Sequence, residues 1–378
     1  MSHPASKASL DVLLVSTSYP KNAKDWQGRF IADMLQSLSE KTSLTLSLWA
    51  PSGDIPANVR NSLTGEDALW LDGMLAEGGI AHIVRSKGIK GAFYVLKLLN
   101  LLRRTYRGPH QPDVAHVNWL QNALPLWGST TPALITVLGT DFALLRLPGM
   151  KAALRHVMAQ RPCIIAPNAE WMQPTLQHAF GDVAEIRVIP FGVEKKWFAI
   201  QRHTPAPAIK KWLVITRITK NKLGTLLEWA KNLVHEQREI HLFGPMQEQI
   251  ELPDWLHYHG PTNPTALVGE WFPQATGVLT LSQHDEGRPQ VLLEAMAAGL
   301  PVIVSDIPGH TSLVQDKKTG WICDSQSKLQ QALDFLDDPE NNELTGKAAQ
   351  TWIKTKIGTW DECASRYESA YFDLMAKK

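Results

Sequence analysis

The sequence predicts an α/β protein built from doubly wound parallel sheets, with helices on both faces of each sheet. Short apolar runs, too short for helices, recur along the chain with helical stretches between them. In the second half, residues 277–305 show the order strand, polar loop, helix, strand, which is typical of a βαβ unit. Sheets of this class bind ligands at the carboxyl ends of their strands, so functional residues are expected in the loops that follow them.

Length and composition narrow the class of protein. The 378 residues are enough for two domains with separate cores. A net charge of +1 gives no indication of a nucleic-acid partner. The three cysteines lie far apart in the sequence, which disfavours a disulfide framework or a cysteine zinc site. This cysteine usage indicates a reducing compartment. No run approaches the roughly 20 apolar residues of a membrane span, and LDVLLV is too short for a signal-peptide core, so we expect a cytoplasmic protein.

In the first half, seven short apolar runs are predicted as strands of one sheet. Gly28 directly precedes an amphipathic helix after the first of them, where a glycine can let backbone amides approach a phosphate or an acceptor. A plain turn glycine is the alternative. The predicted strands are Leu10–Val15, Leu44–Trp49, Ile80–Val84, Val114–Val117, Leu134–Leu138, Cys163–Ala166 and Arg187–Ile189.

A basic stretch interrupts this pattern. Between Gly78 and Pro112 the chain has seven Lys and Arg residues and no Asp or Glu, with apolar residues such as Phe93 among them. A basic amphipathic helix over residues 85–107 could lie on an anionic membrane surface. The alternative is an ordinary domain helix with solvated cations.

Two later strands of the first half end in polar residues. His116 and Asn118 alternate on PDVAHVN, so their side chains point to one face at the carboxyl end of that strand. Asp141 follows the strand LITVLGT. His116 could instead be a buried, hydrogen-bonded histidine. Asp141 could either cap the following helix or face an acceptor hydroxyl.

A second βα series follows a linker at residues 200–210, which contains two prolines. Its first strand ends at Arg217, and Lys222 precedes a helix. The planar guanidinium group of Arg217 and the ammonium group of Lys222 could together bind a diphosphate. The alternative is that both side chains are solvated. His257 and His259 alternate on a later strand, but no third ligand stands at a convincing spacing, so no metal site is predicted.

The βαβ unit carries two unusual carboxylates. The first is Glu286, which follows Asp285 in the loop. The second is Glu294, in a predicted helix at about Pro289–Ala298 that is otherwise apolar nearly all round. A buried carboxylate costs several kcal/mol unless a protein or ligand group pairs with it. Because a helix rises about 1.5 Å per residue, Glu294 lies only about 7–8 Å beyond the N-terminus, so one molecule could touch both glutamates.

The amides between these carboxylates favour an anion. The N–H groups from Gly287 through Gln290 form an anion site at the helix N-terminus, and Gly287 has no side chain to obstruct a ligand. Carboxylates accept hydrogen bonds from sugar hydroxyls, whereas amides donate to phosphate. The combination predicts a nucleotide sugar as ligand.

The string E-G-R-P-Q-V-L-L-E-A-M-A-A-G-L-P-V-I-V-S-D resembles the Glu–x7–Glu signature of the family-4 retaining glycosyltransferases. The resemblance covers nearly the whole chain and is weakest at residues 50–110. It implies the GT-B fold, with two Rossmann-like domains facing a cleft. Residues 1–200 would bind the acceptor, residues 208–350 the nucleotide sugar, and residues 351–378 would form a helix that crosses back to the first domain.

The resemblance also assigns roles to residues. Arg217 and Lys222 would hold the donor diphosphate and offset its leaving charge, Glu286 would accept from the transferred sugar, and His116 and Asp141 complete the predicted catalytic set. Glu294 would accept from ribose hydroxyls. The other predicted donor-binding residues are Gly287, Arg288, Pro289, Gln290, Val291, Gly28, Asn118 and Gly244, the last in a loop expected to form the nucleobase wall.

Four positions depart from the family pattern. In the loop before the first helix, where the family usually has paired glycines, the pair is Gln27–Gly28. Asn118 replaces the second histidine of an H-x-H segment, and Leu138 replaces the histidine of T-V-H-G-T-D. Arg288 stands where an apolar aromatic residue is usual, either as an extra contact to an anionic ligand or as a solvated side chain.

The implied activity is retaining transfer of a sugar from a nucleotide-diphosphate sugar to a hydroxyl acceptor, in glycan, glycolipid or polysaccharide synthesis. The expected partners are the nucleotide sugar and a saccharide or lipid-linked saccharide, with a membrane surface as an additional partner and no nucleic acid. No D-x-D pattern is present, so neither a metal nor another cofactor is expected. The alternatives are a GT-B protein that binds without transfer, a hydrolase that uses Glu286 and Glu294 as acid and nucleophile, or an epimerase of similar fold. The base, sugar, acceptor and linkage stay open.

Overall fold

The computed structural model describes residues 9–22, 25–139, 141–203, 208–284 and 286–378. They form two compact units. Unit 1 comprises the described residues of Met1–Phe191 together with Trp360–Lys378, and unit 2 comprises those of Gly192–Thr359. Three sequence predictions fall outside the described residues: Asp285, residues 204–207 of the linker, and the side chain of Arg85 in the basic stretch.

Each unit contains one sheet in which all paired strands run parallel. The order is β3-β2-β1-β4-β5-β6-β7 in unit 1 and β10-β9-β8-β11-β12-β13 in unit 2. The strands are β1 (Leu10–Val15), β2 (Leu44–Trp49), β3 (Arg60–Asn61), β4 (Val114–Asn118), β5 (Ala133–Val137), β6 (Cys163–Pro167), β7 (Glu185–Ile186), β8 (Lys210–Ile215), β9 (Arg238–Phe243), β10 (Leu256–Tyr258), β11 (Gly277–Thr280), β12 (Val302–Ser305) and β13 (Gly320–Cys323).

Helices connect most of these strands. The α-helices are α1 (Arg29–Ser39), α2 (Gly65–Ala76), α3 (Ile80–Lys87), α4 (Ile89–Tyr106), α5 (Phe142–Leu145), α6 (Met150–Met158), α7 (Gln173–Phe180), α8 (Lys195–Phe198), α9 (Lys220–Leu223), α10 (Leu226–Trp229), α11 (Pro264–Ala266), α12 (Phe272–Gln274), α13 (Gln290–Ala297), α14 (Pro308–Thr311), α15 (Gln326–Leu336), α16 (Pro339–Lys356) and α17 (Trp360–Ala376). None of those in the described part of the chain has the length and apolar character that a bilayer crossing requires.

Each sheet lies between two hydrophobic clusters, because alternate strand residues point to opposite faces. In β1, Leu13 and Val15 belong to one cluster, whereas Val12 and Leu14 belong to the other. The second cluster of unit 1 also contains the buried face of α17. Unit 2 has the same arrangement around its own sheet. The predicted doubly wound α/β class is therefore confirmed.

Two strand predictions are wrong. The run Ile80–Val84 begins helix α3. Ile80 is half-buried and Ile83 buried, while Val84 is 42% exposed, which is the three-residue spacing of one helix face. The run Arg187–Ile189 follows the two-residue strand β7, yet Arg187 N and Ile189 N still donate to carbonyls of β6 at 2.9 and 3.0 Å.

Both sheets reverse their strand order at an equivalent place. The reversal lies between β1 and β4 in unit 1 and between β8 and β11 in unit 2. In open α/β sheets, ligands bind at such a reversal, beyond the carboxyl ends of the strands.

Candidate functional site

The candidate site of unit 2 is built on the loops after β8 and β11. Gln283 N donates to Asn221 O at 2.8 Å and so joins the two loops. At Gly224, which has a φ of 52°, an added Cβ would lie 1.9 Å from Leu281 O, so only glycine fits. The loops therefore hold the side chains on them at fixed positions.

An ion pair between Lys222 and Glu286 connects the segments that follow β8 and β11. Lys222 lies within the short helix α9 and precedes α10, and the Thr219 hydroxyl caps α9 by accepting from Lys222 N at 3.2 Å. The Lys222 ammonium contacts Glu286 Oε1, and the two side chains are only 11% and 19% exposed. Burial lowers the pKa of Lys222, Glu286 acts against that shift, and Arg217 adds to it. Because the pair is partly removed from water, substitution of either residue would leave the other charge without its partner, which is destabilising.

Arg217 supplies a second cation at the same edge. It follows β8, is exposed, and lies close enough to Lys222 to lower its pKa. A guanidinium group beside an ammonium group suits an anion with several oxygens, such as a diphosphate.

Helix α13 begins just beyond this ion pair. Its residues Leu292, Leu293, Ala295, Met296 and Ala297 are buried, as the sequence predicts. Among the described residues, no side chain caps its N-terminus, where Pro289 has an extended conformation. Glu294 and Val291 are half-buried, and Gln290 Nε2 donates to Gly192 O at 2.8 Å. The helix thus begins four residues after Glu286, and Glu294 lies about one turn further along.

The backbone before α13 is tightly enclosed. Arg288 is only 6% exposed, so the prediction that it is a solvated side chain is wrong. Gly287 and Pro289 are buried as well. A Cβ on Gly309 would lie 2.6 Å from Glu286 O and 3.2 Å from Gly287 O, so α14 covers the carbonyl side of these two residues.

His310 is a residue of this site that the sequence prediction missed. It lies in α14, its side chain is fully buried, and Nδ1 lies 3.1 Å from Ser305 Oγ. Burial lowers the pKa of His310, and the charges of Glu286 and Lys222 also act on it, in opposite directions. The signal that could have found it is its position five residues after the end of β12, at the same edge of the sheet.

Gly244 joins the neighbouring loops after β8 and β9. It has a φ of 137°, and an added Cβ would lie 1.7 Å from Thr216 O. Its amide donates to Gly260 O at 2.9 Å, and the Tyr258 hydroxyl donates to its carbonyl at 3.0 Å. A close backbone approach therefore requires this glycine, and its role in a nucleobase wall stays a prediction.

His257, in β10, and His259, just after it, belong to an aromatic cluster. His241 Nδ1 lies 2.9 Å from His259 Nε2, and the His257 ring stacks on His241 with a centroid distance of 5.0 Å. Trp271 packs against His241 and His259. Within the described ranges, no group of three or more His, Cys, Asp and Glu side chains is arranged to hold a metal ion.

In unit 1, His116 is fully enclosed. Its Nδ1 lies 2.6 Å from Tyr371 Oη and its Nε2 lies 2.8 Å from Thr136 Oγ1. Burial lowers the pKa of His116 to about 3, so the ring is neutral. This geometry favours the alternative of a buried, hydrogen-bonded histidine that fastens α17 to the sheet.

Asn118 and Asp141 also bind the protein's own backbone. Asn118 Nδ2 donates to Val15 O at 3.1 Å. Asp141 accepts from Leu120 N at 2.9 Å and from Leu138 N at 2.8 Å, and it makes no side-chain bond that caps α5. The carboxylate therefore joins the loops after β4 and β5.

Two residues at this edge, Trp119 and Gly28, have positive φ angles. Trp119, between Asn118 and the Asp141-bound amide, has a φ of 68°, which is unusual for a bulky residue. Gly28 has a φ of 71°, and an added Cβ would lie 2.8 Å from Ser18 Oγ and from Tyr19 N. Gly28 is thus required for packing at the start of α1, and a ligand role there stays a prediction.

Comparison with known proteins identifies unit 2. Residues 210–353 match the family model of the glycosyl transferases group 1. The whole chain superposes on sucrose-phosphate synthase from Thermosynechococcus elongatus with a TM-score of 0.70 at 15% identity, covering 98% of this chain and 100% of that one. Residues 210–353 are a group 1 glycosyltransferase domain, and the chain has the GT-B fold. All the unit 2 site residues described above lie in this group 1 domain.

Other similar proteins match the group 1 domain or the fold. D-inositol 3-phosphate glycosyltransferase from Streptomyces avermitilis is 29% identical over 130 residues, 34% of this chain and 27% of that protein. N-acetyl-alpha-D-glucosaminyl L-malate synthase from Bacillus anthracis is 31% identical over 111 residues, 29% of each chain. The match thus spans less than a third of these curated relatives. HepE from Anabaena, solved with UDP and glucose, has a TM-score of 0.65 at 12% identity and covers 96% of this chain and 99% of its own.

Proposed function

We propose that this protein is a retaining glycosyltransferase that moves a sugar from a nucleotide-diphosphate sugar to a hydroxyl acceptor, in glycan, glycolipid or polysaccharide synthesis. Unit 2 binds the donor and unit 1 binds the acceptor. The observation that carries the proposal is the Lys222–Glu286 ion pair, with Arg217 beside it, at the strand-order reversal of the group 1 domain.

The charges at this edge of the sheet suit the departure of a diphosphate. As the sugar–phosphate bond breaks, negative charge grows on the diphosphate, and preorganised cations stabilise that charge most strongly where water is excluded. Lys222 meets this condition because its side chain is only 11% exposed, and Arg217 adds a planar set of donors. Glu286 then accepts hydroxyls of the transferred sugar, and Glu294 accepts those of the ribose.

Retention follows if the acceptor attacks on the face from which the diphosphate leaves, and the departing phosphate takes the acceptor's proton. No covalent nucleophile is assigned. The test is the anomeric configuration of the product, measured by NMR before mutarotation. An inverted product would contradict this step, whereas absence of product would not bear on stereochemistry.

The donor class is supported by the relatives. Two curated relatives of the group 1 domain are named D-inositol 3-phosphate glycosyltransferase and N-acetyl-alpha-D-glucosaminyl L-malate synthase. HepE, of the same fold, was solved with UDP and glucose. A binding screen of UDP-, GDP-, ADP- and dTDP-sugars tests the class. Arg217→Ala and Glu294→Ala should both weaken the best donor, and Glu251→Ala, at an exposed carboxylate of unit 2, should not. If the first two variants bind that donor like the parent, the site assignment is wrong.

We further propose that transfer needs no metal, because Arg217 and Lys222 take the place of a cation on the diphosphate. Turnover should therefore persist in excess EDTA. Loss of turnover that added Mg²⁺ or Mn²⁺ restores would contradict this part of the proposal.

A lipid-linked acceptor at a membrane surface is the proposal for unit 1. Helix α4 exposes Phe93 by 69% and Leu96 by 63%, next to the exposed cations Lys90 and Lys97. An exposed apolar and basic face suits an anionic bilayer. Flotation with anionic liposomes at low salt should capture the protein, and Phe93→Ser with Leu96→Ser should reduce capture. Equal flotation of parent and variant would contradict the assignment of this face.

One observation favours a second candidate, a protein that binds a nucleotide sugar without transferring it. His116, Asn118 and Asp141 of unit 1 are all buried and hydrogen-bonded to the protein itself. Retained donor affinity with no turnover toward any acceptor would support this candidate. The hydrolase alternative gives no role to Lys222, and release of sugar from a simple glycoside would favour it.

A further inference from the structure

The buried ring of His310 has a defined tautomer. Its Nδ1 lies 3.1 Å from Ser305 Oγ and 3.2 Å from Ser305 O. The carbonyl can only accept, and the Ser305 hydroxyl already donates its proton to Ser282 O. Both oxygens therefore require a donor, so Nδ1 carries the ring proton.

The other nitrogen, Nε2, is consequently an acceptor. It is buried and has no hydrogen-bond partner among the described residues. Burial lowers the pKa of His310, so the neutral ring is the stable form near neutral pH and Nε2 keeps its lone pair. Because buried polar atoms are nearly always hydrogen-bonded, an unsatisfied acceptor of this kind indicates a missing donor.

The position of His310 indicates which molecule supplies that donor. Gly309 packs against the backbone of Glu286, and the charges of Glu286 and Lys222 both act on the ring, so His310 lies beside the ion pair. An ionised Glu286 carries no proton that it could donate. A hydroxyl group of a bound molecule can donate, and the proposed function already places a sugar against Glu286.

We propose that Nε2 of His310 accepts a hydrogen bond from one hydroxyl of the sugar in the donor, while Glu286 accepts from another. His310 is then a sugar-specificity residue of the group 1 domain. This inference rests on the proposed function, since it requires a nucleotide sugar in unit 2. A site that hydrogen-bonds a hydroxyl discriminates strongly against the deoxy analogue, because the buried partner is then left unsatisfied.

Two variants separate the roles of the two ring nitrogens. His310→Asn keeps a short amide donor near the position of Nδ1 but has no atom near Nε2. His310→Gln reaches the position of Nε2 with an amide. Affinity for the best nucleotide sugar should fall roughly tenfold in the Asn variant and stay within about threefold of the parent in the Gln variant. Affinity for the nucleoside diphosphate without the sugar should be unchanged in both.

Monodeoxy donors identify the hydroxyl. One of them should bind the parent about tenfold more weakly than the intact donor, and His310→Asn should cause no further loss with that donor. Nitrogen NMR of the unmodified protein gives a readout that does not depend on folding of a variant. The Nε2 resonance, assigned by its absence from His310→Gln, should move when the nucleotide sugar binds and not when the nucleoside diphosphate binds.

The outcomes distinguish the two proposals. If the parent binds a nucleotide sugar normally while His310→Asn binds it equally well, or while the Nε2 resonance stays still, the role of His310 is overturned and the proposed function stands. If the parent binds no nucleotide sugar, the proposed function is overturned and this inference with it.

Discussion

The carboxyl edges of the two sheets occupy the same place in their folds but differ in chemistry. In unit 1, the residues after the central strands are His116, Asn118 and Asp141, all buried and hydrogen-bonded to the protein itself. In unit 2, the equivalent loops carry the Lys222–Glu286 ion pair and the exposed Arg217. The first edge joins elements of the fold, and the second carries an ion pair and an exposed cation.

This difference shows that the position of a residue in a sequence motif does not determine whether its side chain can bind a ligand. His116 and Lys222 both match family positions, and both have pKa values lowered by burial. His116, however, has both nitrogens bonded to groups within the protein, whereas Lys222 keeps donors in addition to its bond with Glu286. Substitutions at the two edges should therefore affect different measurements: stability in unit 1 and donor affinity in unit 2.

The largest effect is expected from Lys222→Ala. The variant removes a cation from the proposed diphosphate site and leaves Glu286, only 19% exposed, without its ion-pair partner. Affinity for the nucleoside diphosphate should fall about 100-fold, on the order of 3 kcal/mol. Titration calorimetry measures the loss. Lys220→Ala, at an exposed cation two residues away in α9, is the matched control and should stay within about twofold of the parent. Equal losses of affinity in both variants would mean that binding depends on the overall positive charge of this region and not on Lys222 itself.

A smaller effect, on stability and not affinity, is expected from His116→Ala. The variant leaves the Tyr371 and Thr136 hydroxyls buried without their imidazole partner and opens a cavity. The free energy of unfolding of unit 1 should fall by about 2–3 kcal/mol. Urea unfolding with a probe in α17 measures it. His178→Ala, at an exposed histidine of α7, should change stability by less than about 0.5 kcal/mol.

Donor affinity provides the complementary result for His116→Ala. Provided that the variant is folded under the assay conditions, it should bind the nucleoside diphosphate like the parent, because His116 lies in unit 1. A tenfold loss of diphosphate affinity in folded protein would contradict the contrast between the two edges.

Asp141→Asn should have a still smaller effect. The carboxylate accepts from two amides, at 2.9 and 2.8 Å, whereas an Asn oxygen replaces only one of these acceptors and its NH₂ group faces the other amide. Because the Asn NH₂ group and the backbone amide that it faces are both donors, the free energy of unfolding should fall by about 1–2 kcal/mol. Donor affinity should not change. Hydrogen exchange of the Leu120 and Leu138 amides provides a local measurement, and unchanged protection of both would contradict the assigned contacts.

Most of the fold was predictable because short apolar runs between polar loops define parallel strands. Strands β1 and β2 have the predicted bounds, Leu10–Val15 and Leu44–Trp49. The run Ile80–Val84 was not predictable in this way, because five apolar-rich residues fit either a strand or one face of a helix. Only packing of Ile83 into the core decides between them.

The site was predictable as a set of residues but not as a set of contacts. Lys222 and Glu286 are both expected in the site from sequence, yet their ion pair joins residues 64 positions apart, and no local pattern specifies it. Burial of Arg288 depends on the three-dimensional neighbours of its loop. His310 escaped prediction because its position after β12 does not by itself reveal its contact with Ser305 or its closeness to Glu286.

The last prediction concerns the pH dependence of diphosphate binding and has the smallest effect. Because burial lowers the pKa of Lys222, its ammonium group loses its proton at a lower pH than an ordinary lysine, whose pKa is 10.5. Affinity for the nucleoside diphosphate should therefore fall as pH rises through the lowered pKa, by up to about tenfold. The phosphate groups themselves are already ionised above about pH 7, so they do not cause this loss.

Lys222→Arg is the matched variant, since guanidinium stays charged throughout this range. Its affinity should be nearly constant with pH even if it is weaker than that of the parent. The same alkaline loss in parent and Lys222→Arg would show that a group other than Lys222 titrates. His116→Ala should keep the parental pH profile, because the ring it removes is neutral at alkaline pH and lies in unit 1.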